Sequence, residues 1–347
     1  MRILITGGAG FVGSNLAKAA LERGHQLCVF DNLSRHGCAA NLTWLQSAGR
    51  FRFVHGDIRC ASDVDLVVGD FCPNAVFHLA GQVAMTSSVA RPRLDFETNA
   101  MGTFSLLESL KRHAREALFI YSSTNKVYRR PESFTRHVEQ GTRYITPEFP
   151  EGFPETIPFD PETPYGVSKG TADALVRDAH AIFGLRTVVF RHSSIYGGRQ
   201  FATFDQGWVS WFCAQALSQK KFQADSFTVA GSGKQVRDLL HADDLVDLYL
   251  AVLDHGESVI GEAFNVGGGI RNSMSILELL DFLQTELDVR LRFDCIAPRA
   301  RDQKVFVADN TKIFGRLSWK PEVDRATGLR RTLTWLCEQE GGACDPR

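Results

Sequence analysis

The chain has 347 residues, which is long enough to bury a large core in one domain or two. Its 39 basic and 40 acidic residues leave a net charge of -1, so bulk charge favours neither nucleic acid nor a membrane surface as a partner. No apolar run reaches transmembrane length, and the chain begins with a strand pattern rather than a signal peptide. The eight cysteines show no Cys-x-x-Cys or other paired spacing, which predicts reduced thiols in a cytoplasmic protein and no metal site.

A short apolar strand over residues 2–6 leads into a glycine-rich turn and then into a helix. Gly7 permits the tight turn, Gly10 lets a pyrophosphate approach the backbone, and Gly13 lets the helix pack closely on the strand. The free N–H groups and the positive end of the helix dipole then face the phosphates. The stretch therefore predicts the phosphate-binding half of a dinucleotide site.

Two acids follow the next two predicted strands. Asp31 ends the strand over residues 26–30, close to the spacing of about 20 residues expected for the acid that binds the adenosine ribose. An acid there favours NAD over NADP because it repels a 2′-phosphate, although Arg35 lies near it in sequence. Asp57 follows the strand over residues 51–56 and could bond the adenine amine. Either acid could instead cap a turn or a helix.

The next elements continue the alternation of strand and helix. Gly81 follows an apolar strand over residues 75–80 and lets the backbone pass close to the cofactor. Asn99 lies inside a helix predicted from Leu94 to about Arg115, a poor place for asparagine, so we expect it to hold a polar group such as a loop backbone near the site. The predicted apolar side of this helix is Met101, Phe104, Leu106, Leu107 and Leu110.

A proton-transfer unit is predicted from hydroxyls at a strand end and from a Tyr-x-x-x-Lys pair. Thr124 follows the strand over residues 118–122, where side chains face the ligand crevice. Tyr165 and Lys169 share one face of a helix that runs to Phe183. A free tyrosine has a pKa of about 10, and a neighbouring ammonium and a positive nicotinamide ring lower it. Tyr165 could then take a proton from a sugar hydroxyl while hydride leaves for NAD. The alternative is a helix cap and a solvated lysine.

The pattern changes after residue 195, where strands become short and irregular. We therefore predict an α/β fold: a Rossmann doubly wound parallel sheet over residues 1–195 that binds NAD, and a smaller C-terminal substrate-binding lobe over residues 196–347, with some chain crossing between the lobes. The turn-rich excursion over residues 129–160 is expected to form part of the substrate rim. A strand over residues 263–266 and a final helix over residues 326–340 are predicted in the second part.

Together these motifs resemble the extended short-chain dehydrogenase/reductase family of nucleotide-sugar epimerases and dehydratases, over nearly the whole chain. The strings that carry the resemblance are Gly7-x-x-Gly10-x-x-Gly13, Asp31-Asn32, Asp57, His78-Leu-Ala-Gly81, Ser122-Ser-Thr124, Tyr165-x-x-x-Lys169 and Asn265-Val-Gly267. Longer strings, including residues 77–85, 122–128, 190–194, 196–202 and 233–238, resemble members that act at C2 of a CDP-linked deoxyhexose.

The resemblance implies an isomerase that holds NAD tightly, oxidises C2 to a 2-keto sugar, and returns the hydride to the other face after the intermediate turns over. It also implies a homodimer or homotetramer that packs through the helix of Tyr165. Dehydratases of the family carry Asp-Glu directly after the catalytic Thr, whereas this chain has Asn125 and Lys126, which argues against a 4,6-dehydratase. Arg129 stands where the family commonly has Gly. A UDP-sugar 4-epimerase, a net oxidoreductase and a non-catalytic NAD-binding protein remain alternatives.

Residue reasoning and resemblance together give the candidate sites. The catalytic candidates are Thr124, Tyr165 and Lys169. The predicted cofactor-binding residues are Gly7, Gly10, Phe11, Val12, Asp31, Asn32, Ser34, Arg35, Asp57, Ile58, Leu79, Ala80, Gly81, Gln82, Asn99, Ser122, Tyr165 and Lys169. The predicted nucleotide-sugar contacts are Gln82, Thr124, Asn125, Ser194, Arg199, Gln200, Gln206, Arg237 and Arg301. The three arginines are candidates for the pyrophosphate because a guanidinium fork matches phosphate oxygens, and each could instead be an ordinary surface arginine.

Overall fold

The computed structural model describes residues 1–339. Its strands are β1 (Arg2–Thr6), β2 (Gln26–Asp31), β3 (Arg52–His55), β4 (Ala75–His78), β5 (Leu118–Thr124), β6 (Val138–Gln140), β7 (Arg143–Ile145), β8 (Arg186–His192), β9 (Ser194–Tyr196), β10 (Phe227–Ala230), β11 (Val236–His241), β12 (Ala263–Val266), β13 (Ser273–Ser275), β14 (Phe293–Ile296) and β15 (Val305–Phe306). Its helices are α1 (Phe11–Glu22), α2 (Cys38–Ala48), α3 (Ala61–Phe71), α4 (Met85–Ala90), α5 (Pro92–Phe96), α6 (Gly102–His113), α7 (Thr163–Phe183), α8 (Trp208–Phe222), α9 (Ala242–His255), α10 (Ile276–Leu287), α11 (Thr311–Leu317) and α12 (Arg325–Gln339).

Seven parallel strands form the central sheet in the order β12-β8-β5-β4-β1-β2-β3. The chain direction across the sheet reverses between β1 and β4, and ligands of doubly wound sheets bind at such a switch point. Strand β4 is buried along its whole length, as expected for a strand that helices cover on both faces. The predicted Rossmann-like α/β fold is therefore confirmed.

Helices cover both faces of this sheet. On one face α1 packs against α2 and α9, and on the other α3 and α6 pack together with α7 beside them. Each layer buries its own apolar cluster, one built around Leu16, Leu45 and Tyr249, the other around Val68, Leu106 and Val176. The result is three layers with a core on each side of the sheet.

The chain crosses between the two lobes after residue 195. Strand β12 pairs with β8 at the edge of the central sheet, and α9 packs on α1. The predicted strand over residues 263–266 is thus present, but it belongs to the first lobe rather than to the second. The second lobe is built from the remaining elements, with a core shared by α8, α10 and α12 and a small sheet in which β11 pairs with β9, β13 and β15. The predicted last residue of the final helix, Glu340, lies outside the described residues.

The helix predicted from residue 94 to about 115 is interrupted by a π-helical turn, Glu97–Met101, between α5 and α6. Such turns are often found at functional sites, and this one carries Asn99. Met101 is 48% exposed and Phe104 is 39% exposed, so the prediction that both lie on the buried side was wrong. The extra residue of the π turn shifts the helical register, which the periodicity argument did not include. Leu106, Leu107 and Leu110 are buried as predicted.

The cysteines depart from the prediction at one position. Six of them are free thiols: Cys28, Cys38, Cys60, Cys72, Cys213 and Cys295. Cys337 takes part in a disulfide, so the expectation that all eight are reduced was wrong there, and Cys344 lies outside the described residues. Within residues 1–339 we find no helix with the length and apolar character needed to cross a membrane.

A buried ion pair fixes α7 against the sheet. Arg191 on β8 donates through Nε and Nη2 to the two carboxylate oxygens of Asp173 on α7, at 2.9 and 2.8 Å. Ser123 on β5 donates to the same carboxylate at 2.8 Å. The remaining Arg191 nitrogen, Nη1, donates to the Tyr128 hydroxyl, which in turn donates to Asn265 on β12. One network therefore ties α7 to three neighbouring strands.

Replacing Asp173 with Asn should lower the free energy of unfolding by about 3–5 kcal/mol, because Arg191 stays buried without its counter-charge. Urea unfolding followed by circular dichroism measures the loss. Asp178→Asn, at an exposed position of the same helix, is the matched control and should change stability by no more than about 0.5 kcal/mol. A loss below about 1 kcal/mol for Asp173→Asn would show that the ion pair does not anchor α7.

Candidate active site

A cavity of about 430 Å³ runs from the glycine turn of the first lobe to the second lobe. It lies at the carboxyl ends of the central strands, where a doubly wound sheet binds its ligands. The predicted site residues that line it are Gly7, Gly10, Phe11, Val12, Arg35, Leu79, Gly81, Ser122, Thr124, Asn125, Tyr165, Ser194, Arg199, Gln200, Gln206 and Arg237. Those that do not line it are Asp31, Asn32, Ser34, Asp57, Ile58, Ala80, Gln82, Asn99, Lys169 and Arg301.

The glycine turn leaves no room for side chains. Gly7 has φ +70°, and a Cβ on it would lie 2.6 Å from the backbone nitrogen of Ala80. A Cβ on Gly13 would lie 2.2 Å from the Gly7 carbonyl oxygen. Helix α1 begins after Gly10 with no side chain capping its first N–H groups. These groups are donors at the positive end of a helix and face the cavity, so they fit a pyrophosphate.

Asp31 holds the turn from behind. Its Oδ2 accepts from the backbone N–H of Ala9 at 3.0 Å, and its Oδ1 accepts from that of Leu33 at 2.8 Å. Burial raises the pKa of this carboxyl, and the two backbone hydrogen bonds oppose the rise. Arg35 is turned away from it, and its Nη1 donates to Gln82 Oε1 at 3.2 Å. With Arg35 engaged by Gln82, the surroundings of the Asp31 carboxylate fit a ribose diol better than a 2′-phosphate.

Asp57 lies beside Asp31 in the fold but is engaged by other side chains. Arg59 donates to both of its oxygens, at 3.0 and 2.7 Å, and Asn32 Nδ2 donates to its Oδ2 at 3.1 Å. The hydrogen bonds from Arg59 and Asn32 hold the pKa of Asp57 well below its usual range. These contacts hold Asp57 as a carboxylate anion near Asp31, outside the cavity lining.

The three catalytic candidates meet at the sugar end of the cavity. The Thr124 hydroxyl lies close to Tyr165 and donates to Asn125 Oδ1 at 3.3 Å. Lys169 lies behind them, where its Nζ donates to the Ser122 carbonyl and sits 4.3 Å from the centre of the Tyr121 ring. Helix α7 places Tyr165 and Lys169 one turn apart on the face that packs against β5.

Burial shifts the two titratable groups of this set in opposite directions. Burial raises the pKa of Tyr165 to about 12, although the hydrogen bond with Thr124 and the charge of Arg35 lower it. Burial also lowers the pKa of Lys169 to about 7, against the opposing charges of Asp173 and Asp95. For these residues alone, burial therefore outweighs the lowering of the Tyr165 pKa that the Lys169 ammonium was expected to cause, and the effect of the nicotinamide ring stays a prediction. The loss of hydration destabilises the phenolate by more than the neighbouring groups stabilise it.

Asn99 braces the loop beside the site, as its sequence position predicts. Its Oδ1 accepts from the backbone N–H of Gln82 and its Nδ2 donates to the Gln82 carbonyl, both at 2.9 Å. Nδ2 also lies 3.0 Å from Ser168 Oγ, which donates to Asp95 at 2.9 Å. Asp95 and Ser168 were missed by the sequence reasoning. An acid one turn before an out-of-place asparagine was the signal available.

The three arginines predicted to bind the pyrophosphate lie in different surroundings. Arg237 lines the cavity and donates to Asp302 Oδ1 at 2.8 Å. Arg199 also lines it, but its guanidinium lies 4.2 Å from the Trp44 ring, on the first lobe. Arg301 lies outside the cavity and pairs with Glu162 at 3.1 Å. The structure thus places Arg301 outside the cavity lining, and its contact with the pyrophosphate stays a prediction.

Other cavity residues were not predicted. Arg299, two positions before Arg301, lines the cavity and lies 4.9 Å from the Phe204 ring. Asp302 faces it as the partner of Arg237, and His192 lies beside Thr124 in the register of β5 and β8. Burial lowers the pKa of His192 to about 3, so this ring is neutral. Gln200, a weaker candidate, accepts from Ser210 at 2.6 Å and thus has a structural partner.

Comparison with known proteins decides the family. A sequence model described as the NAD dependent epimerase/dehydratase family matches residues 3–267. The chain belongs to this family. NAD is accordingly its cofactor, as the acid at position 31 predicts, and the glycine turn fits the group sterically.

Members with known activities resemble the chain over nearly its full length. It is 50% identical to CDP-paratose 2-epimerase of Salmonella typhi over 96% of this chain and 99% of that protein. Among solved structures, UDP-glucose 4-epimerase from Thermotoga maritima with UDP-glucose matches with a TM-score of 0.82 at 28% identity, covering 98% and 100% of the two chains. UDP-glucuronic acid 4-epimerase from Bacillus cereus, in complex with UDP-glucuronic acid and NAD, matches with a TM-score of 0.83 at 26% identity, with the same coverage.

Gly7→Ala should abolish NAD retention and destabilise the protein, because the new methyl group meets backbone atoms of residues 79 and 80. Gly24→Ala is the matched control, since Gly24 has φ +74° but nothing lies within 4 Å of its Cβ position. The control should lose only about 1–2 kcal/mol of stability, the cost of the left-handed conformation, and keep its cofactor. Nicotinamide released on denaturation and urea unfolding measure both effects. Equal NAD contents in the two variants would contradict the steric account of the turn.

Proposed function

We propose that the protein is an NAD-dependent nucleotide-sugar epimerase that inverts C2 of CDP-paratose to give CDP-tyvelose. The observation that carries the proposal is 50% identity to a CDP-paratose 2-epimerase across nearly the whole of both chains. The presence of both Thr124 and Tyr165 at the cavity, with Lys169 one turn away, supports a catalytic role rather than mere binding of NAD.

NAD, when bound, supplies a reversible hydride acceptor and a positively charged ring. Tyr165 takes the proton of the C2 hydroxyl as the carbon is oxidised and returns it when the 2-keto sugar is reduced on its other face. A phenol with a pKa of about 12 is a weak acid at neutral pH. The positive ring and a protonated Lys169 favour its anion, and Thr124 orients the proton.

The side chains after Thr124 favour epimerisation over loss of water. A dehydratase needs an acid and a base beside the sugar, and Asn125 cannot exchange a proton at neutral pH. Its Nδ2 donates to Gln303 Oε1 at 3.1 Å, which holds the amide in place. A UDP-sugar 4-epimerase of the same family is the second candidate, favoured by the structural matches to two such enzymes.

The apolar side chains that helices of the first lobe leave exposed support self-association. They lie on α4, on the segment from α5 to α6, and on α7, and are Val89, Phe96, Met101, Phe104, Val167, Ile182 and Phe183. Apolar clusters of this kind mark interaction surfaces. We propose that this face joins two copies of the chain in a homodimer, or two such pairs in a homotetramer. Six of the seven cysteines within residues 1–339 are free thiols, which supports a cytoplasmic location.

Carboxylates introduced on this apolar face should prevent two copies of the chain from associating. Phe104→Glu combined with Ile182→Glu is expected to give a monomer in sedimentation velocity, because two carboxylates per copy would be buried in the contact. Phe222→Glu is the matched control, since Phe222 is 69% exposed but lies on the second lobe. A double variant with unchanged mass would place the contact elsewhere.

The reaction itself is tested by NMR of the purified protein with CDP-paratose in D₂O and no added cofactor. We expect conversion to CDP-tyvelose without deuterium at C2, because the hydride returns from retained NAD. Deuterium at C2 would contradict hydride transfer. Inversion of C4 of a UDP-sugar in place of C2 would keep the mechanism and replace the substrate.

Tyr165→Phe serves as the catalytic control in the same experiment. It should lower turnover by at least about 10²- to 10⁴-fold, the usual contribution of a positioned acid or base, while the fold and bound NAD persist. Full activity in this variant would contradict the assigned role of the phenol.

A further inference from the structure

Lys126 places an unpartnered amine at the cavity. It lies in a short 3₁₀ turn directly after β5, and its backbone N–H donates to the Thr124 hydroxyl at 3.3 Å. The side chain lines the cavity, and its Nζ is buried with no hydrogen-bond partner in the structure. A buried ammonium without an acceptor is costly, so such a group points to a ligand.

The charged groups around this amine each have another partner. They are Arg237, Asp302, Glu132 and Arg130. Arg237 donates to Asp302 at 2.8 Å, and Arg130 pairs with Glu162 at 3.1 Å. Glu132 accepts from the backbone N–H of Lys304. Neither Asp302 nor Glu132 accepts a hydrogen bond from Nζ, so its donors remain available to a ligand.

The charge balance affects the protonation of Lys126. Burial lowers the pKa of Lys126 to about 8, and the charge of Arg237 lowers it further against the opposing charges of Asp302 and Glu132. An anion bound between Lys126 and Arg237 would remove the repulsion between the two cations and give Nζ its missing acceptor.

We propose that Lys126 is a substrate-binding residue that holds, together with Arg237, the diphosphate of the nucleotide sugar. The proposal rests on the proposed function for the class of substrate. Lys126 follows Thr124 by two residues and lines the cavity together with Arg237, so the two cations fit the phosphate that is attached to the sugar. Arginine forks and lysine point charges commonly share a phosphate in this way.

Calorimetric titration of the NAD-loaded protein with CDP tests this. In the wild type, affinity should fall as the pH rises above about 8, by up to tenfold per pH unit, because the ligand binds the protonated amine. Binding at pH 8 should take up a fraction of a proton, read from two buffers of different ionisation enthalpy. Lys126→Met should bind CDP about 10- to 100-fold more weakly at pH 7, the loss expected for a charge-assisted hydrogen bond, and without that proton uptake.

Two further variants keep the test decisive. Lys304→Met is the matched control, since Lys304 is exposed and its contact to Glu132 is made by the backbone; its affinity should equal that of the wild type. Lys126→Arg retains a charge that does not titrate near pH 8, so it should bind CDP but lose the proton uptake. Melting temperature and NAD content establish that each variant is folded.

The outcomes separate this proposal from the proposed function. Unchanged CDP affinity and proton uptake in Lys126→Met would overturn it. So would a variant that binds CDP normally but loses affinity for CDP-paratose, because the amine would then contact the sugar. A protein that prefers UDP, with the same loss in Lys126→Met, would contradict the proposed substrate and support the role of Lys126.

Discussion

The position of α7 on the sheet depends on one buried ion pair, Arg191–Asp173. Tyr165, Lys169 and Asp173 are spaced four residues apart, so the residue that anchors the helix lies on the same face as the two that carry the chemistry. A buried pair of this kind adds little to stability over an apolar pair, but removing one partner is costly. The ion pair matters here because it fixes the position of α7 on the sheet. The same network reaches the Phe153 carbonyl through Asn265 Nδ2 at 2.8 Å, so the excursion over residues 129–160 is tied to the catalytic helix.

Desolvation sets the protonation states at the site. In water a tyrosine and a lysine titrate within about half a pH unit of each other, whereas here Tyr165 is shifted to about 12 and Lys169 to about 7. The proton therefore rests on the phenol, and the amine exchanges its own near neutral pH. Both shifts come from removing charge from water, so any positive group that enters the cavity moves the phenol toward its anion. In the proposed mechanism, this coupling of the acid–base step to cofactor binding keeps the phenol protonated until a hydride acceptor is in place.

Sequence reasoning succeeded where the relevant geometry is local. The glycine turn, Asp31 and the Tyr165–Lys169 pair are placed by spacing within one element or one strand–turn–helix unit, which covalent geometry fixes. It failed where tertiary structure decides. Arg299 and Arg301 stand two residues apart in one loop, and only backbone direction determines that the first faces the cavity and the second pairs with Glu162. The outward position of Met101 follows from a π turn that no periodicity of 3.6 residues anticipates.

Asn125 and Lys126, which follow Thr124, bear both on the class of reaction and on how the substrate binds. A carboxylic acid at position 126 would place negative charge beside Arg237 and could donate a proton to a leaving hydroxyl. Lysine reverses the charge at the same point, and the 3₁₀ turn that presents it also brings its backbone N–H to the Thr124 hydroxyl. Asn125, held by Gln303, offers hydrogen bonds but no exchangeable proton. In the proposed reaction, this turn orients the sugar and anchors its diphosphate while Tyr165 transfers the proton, which would restrict the chemistry to one carbon and to a reaction without net loss of water.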